Sequence, residues 1–214
     1  MQISLSTLSK TLQTQIRKEI LSSSRPVIVV DVQPAYADIE PSVCEAVVQF
    51  VAKQTGQVLL LINADDQGLT DDTEQSVIDW WNNTASDYDL ELDWNKITIV
   101  DKGYGYLRSW MDTGINEEVI LETIREMHKQ DVPDSRDLEL PPVAERSSTE
   151  QEIGEAIEAM DGDPLQTGWL EPSLLRKFNN AYLIGGADNE CLSEVELMLK
   201  AFLIKYERIE KLIY

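Results

Sequence analysis

Hydrophobic positions along the chain switch between two periods. Leu5, Leu8, Leu12, Ile16 and Ile20 recur at spacings of three and four, which places them on one face of an amphipathic helix over 5–21. "SSSRP" interrupts that pattern, and "VIVVDVQ" (27–33) follows as a continuous β-branched run, as expected of a strand buried on both faces. From Pro41 to Thr55 the period is helical again, with Pro41 suited to the first turn and Gly56 to the C-terminal cap. "QVLLLIN" (57–63) predicts a second buried strand.

The alternation continues down the chain. A helix is predicted from Thr73 to Trp81 with Asp71 or Asp72 as its N-cap, then a strand at "KITIVD" (96–101) and a helix from Asn116 to Lys129. Residues 131–148 carry three prolines among serines and acids, so they read as a long excursion or linker. A polar acidic helix near Glu150–Met160 and a short one near Pro172–Lys177 lead to the strand "AYLIGG". The last helix sets Leu192, Val195, Met198, Leu199, Phe202 and Leu203 on one face, and "IEKLIY" supplies a fifth strand. Strands alternating with helices imply an α/β fold: a parallel sheet of about five strands with helices on both faces. A length of 214 residues suits a single domain spanning 1–214, with an acidic insertion at about 131–165.

Charge changes the picture of the surface. Of the formal −21, residues 65–93 contribute −10 with no Lys or Arg, and residues 131–163 contribute −9. Such a surface repels phosphate backbones, so no nucleic acid is expected to bind. The acidic segments are solvated faces or a docking surface for a basic protein partner. No signal-peptide pattern and no apolar run of membrane-spanning length is present, and Cys44 and Cys191 are too few to staple the domain. The expectation is a cytoplasmic protein with no membrane association.

In parallel sheets, ligands sit beyond the carboxyl ends of the strands. Asp31, Gln33, Asn63, Asp65, Lys102 and the 185–191 loop fall there. Cys191 stands at the first turn of a helix, where the dipole and free N–H groups favour a thiolate. A nucleophilic thiol also needs a base and a cation. Asp31 and Lys102 both end strands of the same sheet and can fill those roles, and the Cys191 N–H with a neighbour in "GADNE" can form an oxyanion hole. Glu190 and Glu194 flank the thiol, and nearby carboxylates raise a thiol's pKa. Cys44, mid-helix among apolar residues, reads as core. "DWW" (79–81) should pack one indole on the core and leave the other at a rim. The pairs Asp65/Asp66 and Asp71/Asp72 lack metal-ligand spacing and read as solvated loop.

These residues also carry a family likeness. "VIVVDVQPAY" has Asp31, Gln33 and Tyr36, "ITIVDKGYGY" offers Lys102, and "LIGGADNECL" sets Gly185 six residues before Cys191. In order and spacing the chain resembles the isochorismatase-like cysteine hydrolases, relatives of nicotinamidases and N-carbamoyl amide hydrolases, over 25–125 and 168–214. The resemblance implies a three-layer Rossmann-like sheet and hydrolysis of a small amide or carbamoyl C–N bond through a thioester. Cys191 would be the nucleophile, Asp31 the general acid/base and Lys102 the stabilising cation. Gln33, Tyr36, Gly186, Ala187 and Glu190 would be the substrate or oxyanion contacts. Nicotinamidases place Asp and His metal ligands after the second strand, but "NADDQGLTDD" has no histidine and the sole His128 falls in a predicted helix. No metal or other cofactor is therefore expected. A small-molecule substrate and a homo-oligomer fit the family pattern. The alternative reading is a catalytically inactive domain of the same fold that serves as an acidic binding or structural protein.

Overall fold

The computed structural model describes residues 24–64, 71–102, 107–167 and 171–214. The helix expected over 5–21 lies outside the described residues. Strands β1 (Val27–Val30), β2 (Val58–Ile62), β3 (Ile97–Asp101), β4 (Ala181–Gly185) and β5 (Tyr206–Ile213) form one five-stranded sheet in the order β3-β2-β1-β4-β5. Every pairing is parallel. The chain therefore builds outward from β1 to β3, then returns to lay β4 on the free side of β1.

The β-branched runs are buried on both faces, which explains their lack of polar alternation. Ile28 and Val30 point into one cluster with Leu59, Leu61 and Leu183, while Val27 and Val29 point into the other with Val58, Leu60 and Ile62. Helices α1 (Pro34–Ala37), α2 (Pro41–Ala52) and α3 (Glu74–Ser86) follow the first two strands, and α2 and α3 cover the second of these faces. The first is covered by α4 (Leu107–Asp112), α5 (Glu117–Gln130), α6 (Ser148–Ala159) and α8 (Cys191–Ala201). The short α7 (Pro172–Leu175) precedes β4. This is the three-layer Rossmann-like arrangement.

Several boundaries differ from the sequence reading, each for a local reason. Thr73, and neither Asp71 nor Asp72, caps α3: its side chain accepts from the Ser76 N–H while Ser76 reaches back to the Thr73 N–H. The helix runs on to Ser86 because Thr84 and Ala85 are buried along with Val77 and Trp81. As anticipated for the tryptophan pair, Trp81 is buried and Trp80 is half-buried. Helix α2 ends at Ala52 with Lys53 as its C-cap, short of Gly56. Helix α8 stops before Leu203, which takes a left-handed φ of +56° and is 82% exposed. There the Ile204 N–H donates to Leu199 and the Leu203 N–H to Lys200, closing the helix in a Schellman motif.

Residues 131–167 are packed, unlike a linker. The Ser135 N–H donates to the Leu165 carbonyl at 2.9 Å, the Leu165 N–H donates to Ser135 Oγ at 3.0 Å, and Asp134 bridges Gln166 in antiparallel fashion. A Ser147/Glu150 capping box starts α6, and Ile153, Ala156, Met160 and Leu165 enter the core. The acids of this segment face outward: none of them is buried. Among the described residues no helix is long and apolar enough to cross a membrane.

Candidate active site

The strand order reverses between β1 and β4, and a crevice beyond their carboxyl ends is where an open α/β sheet takes a ligand. Asp31 directly follows β1, Lys102 directly follows β3, and Cys191 opens α8 after the turn that leaves β4. Asp31 and Lys102 are each 1% exposed, and Lys102 Nζ stands 3.1 Å from Asp31 Oδ2. Cys191 is only partly buried, so it is more accessible than the pair.

Asp31 has a φ of +52°, uncommon for a residue that carries a Cβ. Its N–H donates to the Leu61 carbonyl at 2.9 Å, and its own carbonyl accepts from the Tyr214 hydroxyl at 2.8 Å. The side chain is thereby turned away from the strand direction toward Lys102. Neither carboxylate oxygen completes a well-angled hydrogen bond within the protein. Lys102 is an ion-pair neighbour, and the Cys191 thiol lies close enough for the Asp31 charge to dominate its chemistry after burial.

Burial opposes the charge on Lys102, but the Asp31 carboxylate, together with Cys191 and Glu194, outweighs it and raises the ammonium above its ordinary range. Lys102 is a permanent cation here. Burial and then the Asp31 charge push the Cys191 thiol up, and Lys102 offsets only part of that rise. Placement at the helix N-terminus does not make a resting thiolate at this site, because desolvation and the carboxylates oppose it. Cys191 is held as a thiol beside a carboxylate that can take its proton.

The turn from β4 to α8 is set by close backbone approach. Gly185 has a φ of +88°, and a Cβ there would stand 2.4 Å from the Val30 carbonyl oxygen, so the glycine six residues before the thiol has no substitute. The Gly186 N–H is spent on the Val30 carbonyl at 2.6 Å, and the Glu190 N–H on Ala187 at 3.1 Å. Neither can serve an oxyanion, and the Glu190 side chain is exposed without a capping bond. The N–H groups of Ala187, Asn189 and Cys191 meet no acceptor among the described residues, so this turn keeps donors open for an oxyanion.

Gln33 is a brace. Its Nε2 donates to the Asn63 carbonyl and to Asp72 Oδ2, both at 2.9 Å, and its Oε1 accepts from the Asn63 N–H at 2.8 Å. Both donor hydrogens are used, which leaves the amide nothing to donate to a substrate. Asp72 also accepts from the Ala35 N–H at 2.9 Å and is 6% exposed, a buried tether where solvated loop was expected. Tyr36 is half-buried, accepts from Asn63 Nδ2 at 3.3 Å, and has its phenol raised by burial and by the Asp31 charge. Asp65 lies outside the described residues.

Two further residues belong to the site. Glu194 is 3% exposed, its Oε1 accepts from the Arg108 N–H at 3.0 Å, and burial raises its carboxyl, against the pull of Lys102. A signal existed in the sequence: Glu194 stands three residues after Cys191 on the same helix face, between the apolar Leu192 and Val195. Tyr214 left no such signal. It reaches Asp31 because β5 breaks register against β4, pairing Leu183 with Arg208 but Gly185 with Ile213.

Cys44 is buried as core, with its thiol pushed up to about 11 by burial and by Glu40 and Glu45. His128, on α5, stacks edge-on against Phe202 at 5.3 Å, and no group of three potential metal ligands occurs among the described residues. No protein-family model, curated protein or solved structure matches the chain.

Proposed function

We propose that the protein is a metal-independent cysteine hydrolase, akin to the isochorismatase-like enzymes, that cleaves a small amide or carbamoyl C–N bond through a Cys191 thioester. One observation carries the reading. Asp31 and Lys102, remote in sequence, form a buried ion pair at 3.1 Å at the carboxyl ends of the strands, and the Cys191 thiol feels the charges of both. Burying a charged pair is costly, so an ion pair beside a thiol is more readily explained by chemistry than by stability.

In this mechanism Asp31 takes the thiol proton as sulfur attacks the carbonyl carbon, and the N–H groups of Ala187 and Cys191 receive the oxyanion. Collapse breaks the C–N bond, and the leaving nitrogen takes the proton from Asp31. Water then attacks the thioester, giving one proton to Asp31, which returns it to sulfur as the acid product leaves. Lys102 stays protonated throughout and balances the charge on Asp31 or on the transient thiolate.

The raised thiol supports a second reading, an inherited scaffold without turnover that works as an acidic binding protein. Labelling with iodoacetamide and peptide mass spectrometry separates the two. The hydrolase reading expects Cys191 to react faster than Cys44 at neutral pH, and Asp31→Asn to slow it by about 100-fold. Equal, sluggish labelling of both thiols would favour the scaffold.

A further inference from the structure

Counted over the described residues, the candidate site is one positive charge short. Among the described residues Lys102 is the only buried cation, yet the carboxylates of Asp31 and Glu194 both stand within its electrostatic reach at 1% and 3% exposure. Arg108, whose N–H meets Glu194, commits its guanidinium to Asp112 at 2.9 Å on the outer surface. Both Asp31 oxygens are buried without a completed hydrogen bond. Buried carboxylates demand cations and N–H donors, and here the described residues supply too few of both.

Resting on the hydrolase reading, we propose that the substrate supplies them: it is a small amide or ureido compound that carries a cationic nitrogen group beside the scissile C–N bond, with Glu194 as the residue that selects the charge. Cys191 and Glu194 are three apart on α8, a spacing that sets their Cβ atoms about 5–6 Å apart. A substrate whose carbonyl carbon meets the sulfur thus presents its cation to Glu194 when the two are separated by two or three bonds. The N–H groups of the same substrate satisfy the open oxygens of Asp31. A substrate bearing a carboxylate at that place would meet two like charges and one opposite.

The test uses three alkylating probes of different charge on the full chain: iodoacetate, iodoacetamide and 2-bromoethylammonium. Each rate at Cys191 is divided by that of the same probe with a small neutral thiol. The normalised preference for 2-bromoethylammonium over iodoacetate should be about tenfold or more. Glu194→Gln should lower that preference severalfold, and Glu194→Asp, which keeps the charge, should retain most of it. Because Glu194→Gln changes the formal charge of −21 by a single unit, a preference that merely follows the acidic surface would be unchanged, and that result overturns the proposal. So does a wild-type preference for iodoacetate. The ratio is measurable however slow the thiol is. A Cys191 no faster than Cys44 with iodoacetamide would count against the hydrolase, whereas a charge ratio indifferent to Glu194 would count against the cationic substrate alone. Circular dichroism of both variants shows that they are folded.

Discussion

The strand ends and the acidic segment 131–163 hold charge in opposite ways. At the strand ends, Asp31, Lys102 and Glu194 are withdrawn from solvent around one thiol, and the Asp31 carboxylate keeps Lys102 charged and helps burial raise the Cys191 thiol. Across 131–163 the acids are far more numerous, but none is buried, and where they pair, as Asp134 does with Arg136 at 2.8 Å, they do so at the surface. The difference teaches that charge count and charge consequence are separate quantities. Water screens the first region hardly at all and the second almost completely.

The sharpest way to break this contrast is to remove Lys102. Lys102→Met leaves Asp31 buried without its cation and should cost about 3–5 kcal/mol in urea denaturation. A loss below about 1 kcal/mol would mean that Asp31 is hydrated or protonated at rest. Gly185→Ala comes next. Its Cβ would meet the Val30 carbonyl at 2.4 Å in a left-handed conformation, so the variant should lose about 2 kcal/mol and misplace the thiol turn. Labelling of Cys191 that kept its wild-type rate in a folded Gly185→Ala protein would show that the turn tolerates the strain.

Glu194→Gln should act in the other direction. The folded-state pKa of Glu194 is raised, so the folded protein holds that proton more tightly than the unfolded chain. Its contribution is fully present below the unfolded value of about 4.3 and is lost as pH rises through the folded one. Glutamine removes that loss and can still accept from the Arg108 N–H, so melting scans between pH 4 and pH 8 should show a flatter profile for the variant. A profile identical to wild type would mean that Glu194 ionises freely. The smallest effect is expected in the acidic segment, where Arg136→Ala should leave the melting temperature within error, since that guanidinium is solvated. A marked drop there would overturn the contrast itself.

Acid strength at the thiol gives the comparison a kinetic form. With its pKa raised, Cys191 should label ever faster as pH climbs past the ordinary thiol value of about 8.5, with no plateau there. A plateau near neutral pH would reveal a resting thiolate and reverse the proton order of the mechanism.

Much of this was written locally. The β-branched run before Asp31, the apolar runs of β2 and β4 and the glycine six residues before Cys191 are each explained by what the nearest backbone requires, and together they specified the parallel α/β class and the triad candidates. Periodicity reports which residues are buried, because burial on one or both faces imposes the period directly. It is silent about which buried polar groups find each other. Gln33 and Asp72 turned out to brace one another, and the Gly186 N–H to be spent on β1, because hydrogen-bond partners are chosen by strand adjacency that no local pattern records. The order β3-β2-β1-β4-β5 set Asp31 beside the Cys191 turn, and the register break in β5 brought Tyr214 beneath Asp31. Sequence alone determined the elements and nominated the chemistry. Only the tertiary structure decided that Glu194 shares the buried charge of the site, since desolvation is a property of the assembled neighbourhood and of no residue by itself.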